Sequence, residues 1–97
     1  MDEASGLAAV KKAASVQDEL LADGSMVLYH AGTQRIVTLN PTAALIWEYC
    51  DGAHTVPMIA DEVRAVFPDV TESEEDILRL LCDLREQGMI VMRDPAA

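Results

Sequence analysis

The sequence predicts an α+β fold: a small three-stranded antiparallel sheet, then three short helices, then a closing strand. Three observations carry that expectation. Short runs of β-forming residues, separated by turn residues, fill the first half of the chain after a polar start. Three segments with apolar residues at helical spacing follow, each opened by a capping residue and closed by glycine or proline. A last short run, Met89–Arg93, comes directly after Gly88.

In chain order, residues 1–14 (MDEASGLAAVKKAA) are small and polar and are expected to be a mobile tail. Residues 15–93 form the expected single domain, and 94–97 a short second tail. Val16–Leu21, Met26–Ala31 and Gln34–Leu39 read as strands of a meander. Ala22-Asp23-Gly24 separates the first two, and Gly32-Thr33 suggests a two-residue hairpin between the next two. Asn40-Pro41 then opens a helix, because the Asn side chain caps and Pro fits the first helical position. That helix runs to about Cys50, with Ala43, Ile46, Trp47 and Cys50 on one face, and Asp51-Gly52 stops it. Thr55 opens the second helix, whose stripe is Ile59, Val63, Val66 and Phe67, and Pro68 ends it. Thr71 and Glu74 match a capping box at the start of the third, and Gly88 terminates it. Three short helices followed by a strand resemble a winged helix-turn-helix, here with a three-stranded sheet packed on the bundle.

Charge narrows the function. The chain has 7 basic and 17 acidic residues, a net charge of −10. Neutralising phosphates needs clustered Lys and Arg. Glu72, Glu74, Glu75 and Asp76 open the third helix, where a helix-turn-helix would meet DNA. A winged-helix DNA-binding transcription regulator is therefore the alternative reading, and the expectation is no nucleic acid and no membrane partner. The two cysteines are too few for a disulfide scaffold, and the expectation is no signal peptide and no spanning run. The expected compartment is the cytoplasm.

Chemistry finds little to work with. His30, Cys50, His54 and Cys82 are the soft ligands, and none fall in paired metal-binding spacing. Cys50 lies between Glu48 and Asp51, which would disfavour a thiolate. No nucleophile motif or phosphate-cradling glycine loop appears. The expectation is a protein that is not an enzyme, with no metal and no cofactor.

What remains is recognition of another polypeptide. On the third helix Ile77, Leu80, Leu81 and Leu84 form the expected core face, and Leu78, Cys82 and Arg85 a second stripe beside it. The apolar arc spans about 200°, more than one core contact requires. The strand Gln34, Arg35, Ile36, Val37, Thr38 and Leu39 lacks proline and acid and can be a sheet edge open to a further strand. These nine residues are the candidate peptide-binding site, with Arg35 and Arg85 favouring an acidic residue on the peptide.

The residues also carry a resemblance. Leu39-Asn40-Pro41-Thr42-Ala43-Ala44-Leu45-Ile46-Trp47-Glu48, then Cys50-Asp51-Gly52 and Thr55-Val56, resemble the PqqD-like family. Asp83-Leu84 through Gln87-Gly88-Met89-Ile90 looks like that family's closing segment, so the similarity covers about Val16 to Val91. It implies three strands on a three-helix winged-helix bundle and a role as a recognition element for ribosomally made precursor peptides. The leader peptide would add as a strand to the third strand, against the third helix. The partners so implied are the leader peptide and a modifying enzyme, often a radical S-adenosylmethionine enzyme.

Overall fold

The chain is described here by a computed structural model, in which residues 9–69 and 73–93 are described. Its elements are β1 (Ala9–Lys12), β2 (Val16–Leu20), β3 (Met26–His30), β4 (Arg35–Leu39), α1 (Pro41–Glu48), β5 (Asp51–Thr55), α2 (Val56–Val66), α3 (Glu74–Glu86) and β6 (Ile90–Arg93). The α+β class holds, but with two three-stranded antiparallel sheets: a meander β2-β3-β4 and a second sheet ordered β5-β1-β6.

The meander and the helix starts follow local chemistry. β2 pairs with β3 from Val16↔His30 to Leu20↔Met26, and β3 with β4 from Met26↔Leu39 to His30↔Arg35. Asn40 caps α1, its Oδ1 accepting from Ala43 N at 2.8 Å. Thr55 caps α2 by accepting from Met58 N. Gly88, at φ +79°, takes the left-handed conformation that glycine tolerates and so ends the last helix.

Other expectations shift. The hairpin between β3 and β4 has a four-residue loop, Ala31 to Gln34, because His30 Nδ1 accepts from both Gly32 N and Thr33 N at 3.1 Å. Gln34, at φ 63°, turns the chain and stands outside the strand. Helix α1 stops at Glu48 instead of reaching Cys50. The capping box of α3 is Ser73 with Asp76, not Thr71 with Glu74; Thr71 and Glu72 lie outside the described residues. Val66, read as core, is 51% exposed because α2 ends there.

The larger correction is the second sheet. Residues 9–12 fall in the segment expected to be a mobile tail, yet β1 is the central strand, pairing Ala9↔Arg93 through Lys12↔Ile90 on one side and β5 on the other. Val10 is fully buried. Residues 1–8 and 94–97, the rest of the expected tails, lie outside the described residues. β5 begins at Asp51-Gly52, read as a helix stop, and runs through His54, expected in a loop. Nothing in its composition favours a strand. It forms because β1 supplies hydrogen-bonding partners, assisted by Lys12 N donating to Cys50 O at 3.1 Å.

One core connects the layers: Val10, Leu28, Leu39, Ile46, Trp47, Ile59, Val63, Ile77, Leu81, Leu84 and Ile90 are all buried in it. Trp47 is its largest side chain. Its Nε1 donates to Asp18 Oδ2 at 2.7 Å, tying α1 to β2. Lys12 Nζ stands 5.4 Å from the centre of the same ring, tying in β1.

Candidate functional site

Strand β4 hydrogen-bonds to β3 on one side, and among the described residues no strand pairs with its other side. Its side chains alternate as a half-covered strand should. Leu39 is buried and Val37 packs on the core, so Arg35, on the same face, points to the helical layer beyond the covered part. Ile36 and Thr38 point the other way, and Ile36 is 67% exposed. Arg35 is exposed and takes no part in the ion pairs among the described residues.

The two ends of helix α3 come near the two ends of the β3–β4 hairpin. At its start, Asp76, Ile77 and Leu80 line a pocket of about 160 Å³ with Asn40, Ala43 and Ile46, just past the end of β4. At its finish, a Cβ placed on Gly88 would stand 3.5 Å from Cδ2 of His30, the residue paired with Arg35 at the start of β4. The helix therefore runs antiparallel to the strand. The lengths agree: 13 helical residues span about 20 Å and five strand residues about 17 Å.

Helical geometry decides which flank of α3 faces this way. Ile77, Leu81 and Leu84 are buried and define the inward direction. At 100° per residue, Asp76 and Leu80 lie on one flank of that stripe and Leu78, Cys82 and Arg85 on the other. The pocket beside the end of β4 takes the Asp76–Leu80 flank. On the far flank, Arg85 Nη1 approaches Met92 Sδ of β6 at 3.8 Å, Leu78 is exposed, and Cys82 is half-buried. The structure thus joins Asp76, Ile77 and Leu80 to Asn40, Ala43 and Ile46, past the end of the strand that carries Arg35, Val37 and Leu39. It does not bring Leu78, Cys82 and Arg85 onto that pocket. Leu80 read as a core residue of α3 in the sequence, and it is half-buried and packs against the core.

The acidic residue of the pocket is engaged. Asp76 accepts from Ser73 N in the capping box and pairs with Arg79 at 3.4 Å. Elsewhere, Asp51 contacts His54 Nδ1 at 3.0 Å on β5, and that hydrogen bond above all lowers its carboxyl to about 2. Burial pushes the Cys50 thiol up to about 12; Asp51 adds to the rise and Lys12 opposes it. The neighbouring acid read from sequence is thus the lesser cause. Among the described residues no group of three or more His, Cys, Asp or Glu could hold a metal ion, and no helix is long and apolar enough to cross a membrane.

The chain is similar to known proteins over most of its length. Residues 25–90 match the family model described as coenzyme PQQ synthesis protein D, PqqD. A PqqA binding protein from Rahnella aquatilis is 30% identical over 81 residues, which are 84% of this chain and 82% of that protein. PqqA binding protein 2 from Pseudomonas putida is 38% identical over 64 residues, 66% of this chain and 69% of that protein. Among solved structures, that of the heterocyclase TruD superposes with a TM-score of 0.63 at 19% identity, over 93% of this chain. The match is to 12% of the heterocyclase, and it speaks to the fold alone.

Proposed function

The chain belongs to the PqqD family, and on that premise we propose that it is a non-catalytic adaptor that binds the leader segment of a ribosomally made precursor peptide as a strand added to β4. The observation that carries the reading is the edge of β4, which no strand pairs among the described residues, with the start of α3 near the end of the strand and Gly88 near its beginning. An edge offers backbone donors and acceptors in a row, which give affinity and direction with little demand on sequence. The neighbouring helix supplies apolar contacts that select side chains.

Relatives named PqqA binding proteins support a precursor peptide as the partner. We assign Arg35 to Leu39 to the pairing strand, with Gln34 at its lip and the Asp76–Leu80 flank of α3 as the wall. The Leu78, Cys82 and Arg85 stripe is the other wall the helix offers. A modifying enzyme, of the radical S-adenosylmethionine class or another, would receive the presented peptide in the cytoplasm. The α1–β5–α2–α3–β6 order fits a winged-helix arrangement turned to protein recognition. DNA binding draws no support from the acidic first turn of α3, Glu74, Glu75 and Asp76.

The test is a titration with leader segments of short peptides encoded beside the gene, followed by amide chemical shifts. Ordering a flexible leader costs entropy, so affinity should be roughly micromolar, about −8 kcal/mol. Shifts should run along β4 and the Asp76–Leu80 flank. Leu78→Asp separates the two walls: unchanged affinity leaves the wall at Leu80, and loss of binding moves it to the Leu78 stripe. Arg35→Glu should weaken an acidic leader, less so at high salt. Shifts confined to α2 would reject the site.

A further inference from the structure

On the flank of α1 away from α3 the surface opens into a second pocket, of about 280 Å³, that the peptide reading does not use. Its wall is Leu20 from β2, Met26 from β3, Leu45 from α1, and Val66 and Phe67 from the end of α2, with Glu48 the charged side chain in the lining. Leu20 is 66% exposed and Val66 51%, so two large aliphatic side chains stand in water at its mouth. Scattered exposed apolar residues mean little, but these converge on one concavity.

The pocket is built in advance. One lip is the β2–β3 turn, closed by Leu21 N to Ser25 O at 2.8 Å and Gly24 N to Leu21 O at 3.0 Å, and braced by Ser25 N to Asp23 Oδ1 at 3.0 Å. Gly24 turns at φ +91°, and a Cβ on it would stand 3.5 Å from Pro41, so turn and helix start meet closely. The Asp23 carboxyl is lowered, chiefly by the Ser25 side-chain hydrogen bond, and stays ionised on this lip.

Size and charge describe the occupant. A cavity of about 150 Å³ accommodates a benzene ring, so this one takes an indole or a phenyl ring with its Cβ. Glu48 is in the lining, Asp23 adjoins Gly24, and Asp69 follows Phe67 by two residues, while among the described residues no Lys or Arg lines the pocket. Arg64, two residues before Val66, sits on another face of α2 and is engaged with Asp61 at 3.4 Å. A second copy of this chain is a poor fit, because it too carries a net charge of −10. We propose that this pocket docks a partner protein through an aromatic anchor flanked by lysine or arginine, giving the molecule a second interaction face across α1 from the pocket that α1 shares with α3. Aromatic anchors seated in preformed pockets carry most of the energy in such contacts, and complementary flanking charge sets partner choice. The proposal stands on the pocket and does not require that β4 bind a peptide.

The experiment uses three blocked tripeptides, Arg-Trp-Arg, Glu-Trp-Glu and Arg-Ala-Arg, and the methyl resonances of Leu20, Met26, Leu45 and Val66 in the full chain. Arg-Trp-Arg should shift those methyls saturably, in the millimolar range expected of one anchor. Glu-Trp-Glu should bind several-fold more weakly at low salt, and Arg-Ala-Arg should shift none of them. Leu20→Ser and Val66→Ser, at exposed positions that the fold tolerates, should each weaken Arg-Trp-Arg. No saturable shift from Arg-Trp-Arg, or equal binding of Glu-Trp-Glu, would overturn the proposal. Methyl shifts that depend on protein concentration alone, with dimers in sedimentation, would overturn it in favour of a second copy.

Discussion

Trp47 does more than fill volume. Its ring is buried against the helices while its Nε1 reaches Asp18 on β2 and its face lies by Lys12 on β1. Trp47→Phe removes that hydrogen bond and leaves a gap the close-packed core cannot fill, at a cost of about 2–4 kcal/mol. Urea unfolding should show a lower midpoint with an unchanged slope, and Asp18→Asn, which keeps an acceptor, should cost less. Asp51 gives a pH signature of known sign. Its carboxyl falls from 3.8 to about 2 in the folded chain, first through the His54 side chain and then the Ala53 amide. A group depressed by folding stabilises above its unfolded value and loses that contribution as pH falls through its folded value. The melting-temperature gap between the parent and Asp51→Asn should therefore be full above about pH 4 and close between about pH 4 and 2. A gap that persisted to pH 2 would show that the Asp51–His54 contact contributes no linkage.

At the level of elements, the second sheet is the feature on which the bundle depends. β1 is flanked by β5 and β6, so it bridges the end of α1 to the end of α3 through backbone hydrogen bonds. Ala13 N to Met89 O at 2.9 Å continues that bridge beyond the strand. Val10→Asp would place a charge in a fully buried position at the centre of this sheet. The expected loss is about 4 kcal/mol or more, enough to abolish a cooperative melt in a domain this small. A variant that melts like the parent would mean that β1 is dispensable and the first 14 residues act as the tail their composition suggests. The meander needs less help, because its turns are closed locally by Asp23 and His30.

For the molecule as a whole, sign of charge and shape of surface set the range of partners. With 17 acidic and 7 basic residues, duplex DNA is repelled over most of the surface, including the first turn of α3. A mobility-shift assay at physiological salt should show no complex at micromolar protein, and a discrete complex there would revive the regulator reading. The pocket between α1 and α3 and the apolar pocket lie on opposite flanks of α1.

Local chemistry was enough to determine the meander of β2, β3 and β4, the helix starts at Asn40 and Thr55, the burial of Trp47 and the acidic surface. Each rests on contacts within a few residues, or on a count. The second sheet was not legible, because Ala9–Lys12 and Asp51–Thr55 have no strand pattern of their own and become strands only when chain segments some 40 residues apart meet. The candidate site divides in the same way. β4 could be read as a strand able to form an edge, since propensity and the absence of proline are local properties. Which flank of α3 meets α1 could not, because a helical wheel fixes the angles between Leu78 and Leu80 but not the helix's rotation about its axis. That rotation is set by packing: burying Ile77, Leu81 and Leu84 turns Leu80 toward α1 and the end of β4, and leaves Leu78 in solvent.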